Sequence, residues 1–198
     1  MRLGLLADIH EEVELLEKAI QALRAADVTK FVVLGDIFET GKRIDETVEV
    51  LSKFDSVGVW GNHDFGLCYE VSDSVRSRYS PKVLQYFGSL KPWLEVAGCR
   101  FQHIEPHMDS KKLEDLWSWC NPLDVSSSFA ATSQPRLFMG HVHRWELHTP
   151  AEKLRWSGTE PIRLEAGQRY FAAIHAIQQG WCAWLDPEED VLFPILVR

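Results

Sequence analysis

The tetrapeptide "GNHD" at 61–64 sets an amide, an imidazole and a carboxylate in succession behind a glycine. Donors of the same kinds recur in four other places: Asp8 and His10 in "DIH", Asp36 in "GDIFE", His103 in "FQHIE", and His141 and His143 in "GHVH". Asp8, His10, Asp36, Asn62, His103, His141 and His143 thus offer oxygen and imidazole ligands with no thiolate among them. Such a mixture suits borderline divalent ions, Mn first, with Fe, Zn, Ni or Co as alternatives. Seven donors exceed what one tetrahedral zinc takes and match two ions that share a carboxylate. Two ions about 3.5–4 Å apart polarise a phosphoryl oxygen, generate hydroxide and stabilise an in-line displacement. His63 is then left beside the metals, free to protonate a leaving-group oxygen.

Taken singly, these residues have plainer uses. Asp8 and Asp36 would cap the helices that follow them, and Asn62 and His63 would serve a turn. What changes the reading is where the chain puts them. "RLGLLA" is an apolar run of strand length ending at Asp8, "KFVVLG" ends at Asp36, and "SVGVW" ends at the opening tetrapeptide. Between them, "EEVELLEKAIQALRAAD" carries Val13, Leu16, Ile20 and Leu23 at helical spacing, and "RIDETVEVLSKF" carries Ile44, Val48 and Leu51 on one face. Strand and helix alternate as in parallel sheets, where ligands collect at the carboxyl ends of the strands. Three successive strands here end in candidate donors.

Beyond these strands, residues 65–92 are helical but interrupted, with Ser80 and Pro81 as cap and first helical position, and are expected to cover the strand ends as a lid. "WLEVAGCRFQHI" is a hairpin that delivers His103, "SKKLEDLWSWC" a short helix, and "PRLFMGHVHRW" a strand broken at Gly140. The tail is expected to form three strands with turns at 178–180 and 187–190. His103 is preferred over His107 as a ligand, because it ends a period-2 strand whereas His107 follows Pro106. Glu39 is read as supporting a ligand or the fold. Trp117, Trp119, Trp181 and Trp184 are read as core, Arg76 and Arg78 as a solvated helix face, and His148 and His175 as residues of ordinary strands. The expected fold class is mixed α/β, with two sheets in one domain over residues 1–198.

Composition narrows the function classes. At 198 residues and 45% apolar content, with eight Trp and ten Phe, the chain can bury a core without disulfide or metal staples. No run of 18 apolar residues offers a transmembrane helix, and the start is too short in apolar residues for a signal peptide. Cys68, Cys99, Cys120 and Cys182 are widely spaced, as for reduced thiols, and the expected location is cytoplasmic. A net charge of −8 argues against a basic nucleic-acid footprint. The expected partner is a small phosphate-ester substrate, with no membrane and no nucleic acid; homo-oligomers are compatible with the sequence.

In order and content, "DIH", "GDIFE", "GNHD", His103 and "GHVH" make the chain resemble the calcineurin-like metallophosphoesterases, over roughly residues 1–145. The resemblance implies a four-layer αββα sandwich with the site on loops at one edge. It implies one metal on Asp8, His10, Asp36 and His143, and another on Asp36, Asn62, His103 and His141, with Asp36 bridging. His63 is similar to the family's catalytic histidine, oriented by Asp64. Thr40 and Phe65 stand where the protein-phosphatase branch carries arginines. The expected activity is therefore hydrolysis of small phosphate esters, phosphodiesters above monoesters. The alternatives are a phosphomonoesterase or nucleotide pyrophosphatase, and a binding scaffold of the same fold without turnover, against which the retained His63 argues.

Overall fold

The computed structural model describes residues 1–197. Its first half is the alternation expected from the apolar runs: β1 (Leu3–Leu6), α1 (Val13–Ala25), β2 (Lys30–Leu34), α2 (Ile44–Leu51) and β3 (Ser56–Val59). β1, β2 and β3 pair in parallel. Parallel strands with both faces covered read as continuous apolar runs, and alternate residues of β1 and β2 do go to opposite sides. Leu3, Leu5, Val32 and Leu34 face the second sheet, whereas Leu6, Phe31 and Val33 face the helices. α1 buries Val13, Leu16, Ala19, Ile20 and Leu23, the i, i+3, i+4 stripe of a surface helix.

Three helices follow: α3 (Phe65–Cys68), α4 (Asp73–Arg78) and α5 (Pro81–Ser89). The Ser80 hydroxyl accepts the Val83 N–H at 3.3 Å, and Pro81 occupies the first turn, where its missing N–H costs nothing. The lid expected over 65–92 is corrected here. Val83 and Phe87 of α5 are fully buried in the same core cluster as α1 and α2, so this segment joins the outer helical layer. Its apolar residues are the reason: they find a partner in α2 before they can reach over the strand ends.

The second half supplies β4 (Trp93–Val96), β5 (Cys99–Gln102), α6 (Leu113–Leu116), α7 (Val125–Ala130), β6 (Arg136–Met139), β7 (Glu146–His148), β8 (Ile162–Arg163), β9 (Tyr170–Ala173), β10 (Trp181–Asp186) and β11 (Val191–Leu196). One sheet has the order β3-β2-β1-β10-β11-β8 and the other β4-β5-β6-β9-β7. Both are mixed. β5, β6 and β9 are parallel, and the remaining pairings of the second sheet are antiparallel. The inner faces of the sheets share one core, which holds Phe101, Phe138 and Ala172, and the outer face of the second sheet packs Phe171 and Met139 against Phe129 of α7. The layers are helix, sheet, sheet, helix, as the resemblance implied.

β8 and α7 are additions to the elements expected from the sequence; β7 is the strand expected around His148, whereas His175 lies beyond the end of β9 and not in a strand. The turn expected at 178–180 is a different connection: β9 lies in one sheet and β10 in the other. A 3-10 turn, Ile177–Gln179, carries the chain across the sandwich, with its Ile177 and Gln178 amides donating to the carbonyls of Ala7 and Asp8. Alternation marks a strand but does not say which sheet receives it. Among the described residues no helix is long and apolar enough to cross a membrane.

Candidate metal centre

All seven candidate donors follow the carboxyl ends of parallel strands, three in the first sheet and two in the second. β1 leads to Asp8 and His10, β2 to Asp36, β3 to Asn62, β5 to His103, and β6 to His141 and His143. Hydrogen bonds tie the two sheets together at this edge. The His141 amide donates to the Asp8 carboxylate at 3.0 Å, and His103 Nδ1 donates to the Leu34 carbonyl at 2.7 Å.

The ligand atoms fall into two overlapping groups, Asp8, His10, Asp36 and His143 in one and Asp36, His103 and His141 in the other, each with its atoms within 4.8 Å of one another. Asp36 belongs to both. Its Oδ2 lies 3.8 Å from His10 Nε2 on one side and 3.4 Å from His103 Nε2 on the other. His143 Nε2 lies 3.4 Å from Asp8 Oδ1.

The donor set fits cations. Asn62 Oδ1, His103 Nε2 and His141 Nδ1 approach one another at 3.0, 3.1 and 3.2 Å. Three of the four imidazoles commit their other nitrogen to an outward acceptor: His103 Nδ1 to the Leu34 carbonyl, His141 Nε2 to the Ser118 carbonyl at 3.0 Å, and His10 Nδ1 to Glu39 at 2.7 Å. A neutral imidazole has one N–H, so those contacts turn the lone pairs inward, the arrangement that metal-ligating histidines use. Lone pairs facing lone pairs repel unless a proton or a cation sits between them.

The charges follow the same logic. Burial would raise the Asp36 carboxyl, but the imidazoles of His103, His63 and His10 outweigh it and hold it below the usual carboxylate range. Burial pushes His103 down, yet Asp36 and Asp8 raise it to about 9. His141 is lowered by burial and by the neighbouring His103. His143, also disfavoured by burial as a cation, is raised on balance by the Asp8 carboxylate.

The backbone is shaped for this convergence. Asp8, His10, Asp36, His141 and His143 all have φ between 47° and 69°, a region that non-glycine residues avoid and that clusters at functional sites. The glycines of the motifs have a packing reason. A Cβ at Gly61 would run into the Asp36 carboxylate, and one at Gly35 (φ 86°) would meet His103 Nδ1 at 2.6 Å. Only a hydrogen fits between these turns and the ligands.

His107 is not in the cluster; its Nδ1 pairs with the Ser128 hydroxyl at 3.2 Å. Asp64 departs from the implied role. Its carboxylate is fully buried and accepts the amides of Ile37, Phe38 and Gly61 at 3.0, 2.9 and 2.9 Å. Burial and the Asp36 charge push it up to about 6, against the pull of the Gly61 and Phe38 amides. It clamps the loops after β2 and β3 and does not orient His63. The carboxylate that faces the His63 ring is Glu39, with Oε2 3.4 Å from Nδ1. Glu11 supports Glu39 in turn, because its carboxylate accepts the amides of Glu39, Gly41 and Arg43 and so holds the loop that presents Glu39.

Trp117 and Trp119 overturn the core reading, being 56% and 82% exposed. They line a groove beside Asn62, His141 and His143, and the Trp117 ring lies 5.3 Å from that of His63. The segment that lines the groove beside Asn62, His141 and His143 is therefore 117–120. The sequence signal is the pair of tryptophans two residues apart, which a helix of core residues would not place on one face.

Residues 1–173 match the family described as the calcineurin-like phosphoesterase superfamily domain. An uncharacterised protein of Methanocaldococcus jannaschii is 26% identical over 157 residues, which are 71% of this chain and 62% of that protein. The chain thus spans less than two thirds of that relative's length. A metallophosphoesterase of Sphaerobacter thermophilus superposes with a TM-score of 0.81 at 22% identity, covering 100% of this chain and 88% of its own. A structure described as a novel archaeal phosphodiesterase gives a TM-score of 0.58 at 12% identity, covering 99% of each chain. At such identities these likenesses establish the fold. The family match takes in every donor of the cluster, and the chain belongs to the calcineurin-like phosphoesterase superfamily.

Proposed function

We propose that the protein is a cytoplasmic phosphoesterase that hydrolyses small phosphodiesters with two divalent ions, Mn foremost. Asp8, His10, Asp36 and His143 would hold one ion, and Asp36, Asn62, His103 and His141 the other. The observation that carries this reading is the convergence of inward lone pairs on either side of Asp36. When bound, the ions supply Lewis acidity toward the phosphoryl oxygens and lower the pKa of water.

The chain's own part is positioning and proton transfer. Water loses a proton to solvent and forms a new P–O bond, the ester P–O bond breaks, and the departing oxygen takes a proton from His63, which solvent then restores. Glu39 faces Nδ1 of that ring, so Nε2 is the nitrogen left to deliver it. The ring is partly exposed, as a group that meets substrate must be. A diester fits better than a monoester because Arg144, the guanidinium lining the groove, is already paired with Glu146 at 2.7 Å. Among the described residues that line the groove, no other arginine or lysine meets the second negative charge of a monoester. The four cysteines are free thiols, which suits a reducing compartment.

The test is protein reconstituted with Mn, its metal counted, and assayed on bis(p-nitrophenyl) phosphate, p-nitrophenyl phosphate and nucleotides. Diester turnover above monoester turnover is expected. A monoester preference reassigns the substrate class, and no turnover with Mn, Fe, Zn, Co or Ni makes the protein a scaffold.

A further inference from the structure

The groove beside the cluster encloses about 370 Å³, within the range of roughly 300–1,000 Å³ of small-molecule sites. Asn62, His141 and His143 line it together with Trp117, Ser118 and Trp119. Two neighbouring indoles left in water forgo a large burial energy. Their backbone is nevertheless held in place. Leu116 before them and Cys120 after them are buried, and the Ser118 carbonyl between them accepts from His141 Nε2. Arg144 reaches the Cys120 carbonyl at 3.4 Å and the Asn121 side-chain oxygen at 3.3 Å. The tryptophan faces are open while their positions are fixed, which is the preorganisation that lowers the cost of binding.

Aromatic surface therefore lies beside the residue assigned to the leaving oxygen. We propose that this groove is a base-stacking subsite, and that the diester hydrolysed carries a nucleobase on one ester arm. The inference rests on the phosphodiesterase reading above. The base stacks on Trp119 and Trp117, both of which line the groove. A lipid chain would need a longer apolar groove than one of about 370 Å³. A phosphoprotein would need a wider one. A nucleobase has the flat π-face that an exposed indole can stack on, and stacking on an aromatic side chain contributes roughly 5- to 150-fold per base.

The experiment compares methyl thymidine-5′-yl phosphate with dimethyl phosphate on metal-quantified protein, because an alkoxide leaves from both and only the first carries a base on the arm that departs at His63. The wild type is expected to show a KM at least about tenfold lower for the nucleoside ester. Trp119→Ala should abolish that ratio and Trp119→Phe should keep most of it; the side chain's exposure makes either variant safe for folding. Binding is read separately, as quenching of tryptophan fluorescence by thymidine monophosphate but not by methyl phosphate, in His63→Ala as well as in the wild type. Equal KM for the two esters, or equal losses on both in Trp119→Ala, overturns the subsite and leaves the hydrolase reading standing. Quenching that depends on Trp119 without turnover of either ester sustains the subsite and sinks the hydrolase. Neither binding nor turnover overturns both.

Discussion

The Glu39 carboxylate faces the His63 imidazole, with Oε2 3.4 Å from Nδ1, and the same oxygen lies 2.7 Å from Nδ1 of His10. One side chain thus supports both a candidate ligand and the candidate acid. Glu39→Gln is expected to weaken metal binding, as loss of a ligand's outer partner does by roughly 10–100-fold. At saturating metal it should also lower kcat on alkyl esters more than on p-nitrophenyl esters. Metal titration followed by a leaving-group series separates the two effects. Unchanged values in both assays would make Glu39 a surface residue that only happens to lie there.

His63→Ala should keep its metals and lose activity in proportion to the need for a proton. General acid catalysis contributes about 10²–10⁴-fold. An alkoxide departs poorly without a proton, whereas p-nitrophenolate leaves readily. The loss should approach that range on an alkyl phosphodiester and be smaller on the p-nitrophenyl ester. A uniform loss on both would assign His63 to holding the phosphate.

Asp36→Asn should release both ions together. Asp36 is 2% exposed and is shared by the two groups of donors, and its charge offsets the repulsion between two divalent cations. Metal counting on the purified variant checks this. One ion retained at wild-type affinity would confine Asp36 to a single site.

His103→Ala should lose metal and His107→Ala should not, because His103 is buried between Leu34 and Asn62 while His107 pairs with Ser128. The outcome is read as ions per chain after dialysis against a weak chelator. The reverse result would move the ligand to the loop.

Removing metal should lower Tm, since Asp8 and Asp36 are buried carboxylates with imidazole lone pairs turned toward them. Each ion restored at a hundred times its dissociation constant should return about 2.7 kcal/mol. A thermal melt with and without chelator gives the answer. Identical melts would mean that the cluster is satisfied by protons alone.

The donors of the centre are legible in the sequence because each sits where an apolar strand stops, and the period of the apolar residues locates those stops. Asp8, Asp36 and Asn62 can be read in this way, and the βαβαβ order places them at one edge. His103 needs more: its neighbour His107 is the same residue type four positions on, and strand periodicity alone separates them. Partners that lie far apart in sequence are not legible. Asp64 stands beside His63 in the chain, yet its carboxylate turns inward to the amides of Ile37, Phe38 and Gly61, and Glu39 takes the place facing the ring. Which way a side chain turns depends on the unsatisfied donors around it, and those belong to another loop. Trp117 and Trp119 read as core because tryptophan usually is. The sequence determined which strands end in candidate donors; the tertiary structure decided what faces them, because burial and hydrogen bonding are settled between segments and not within one.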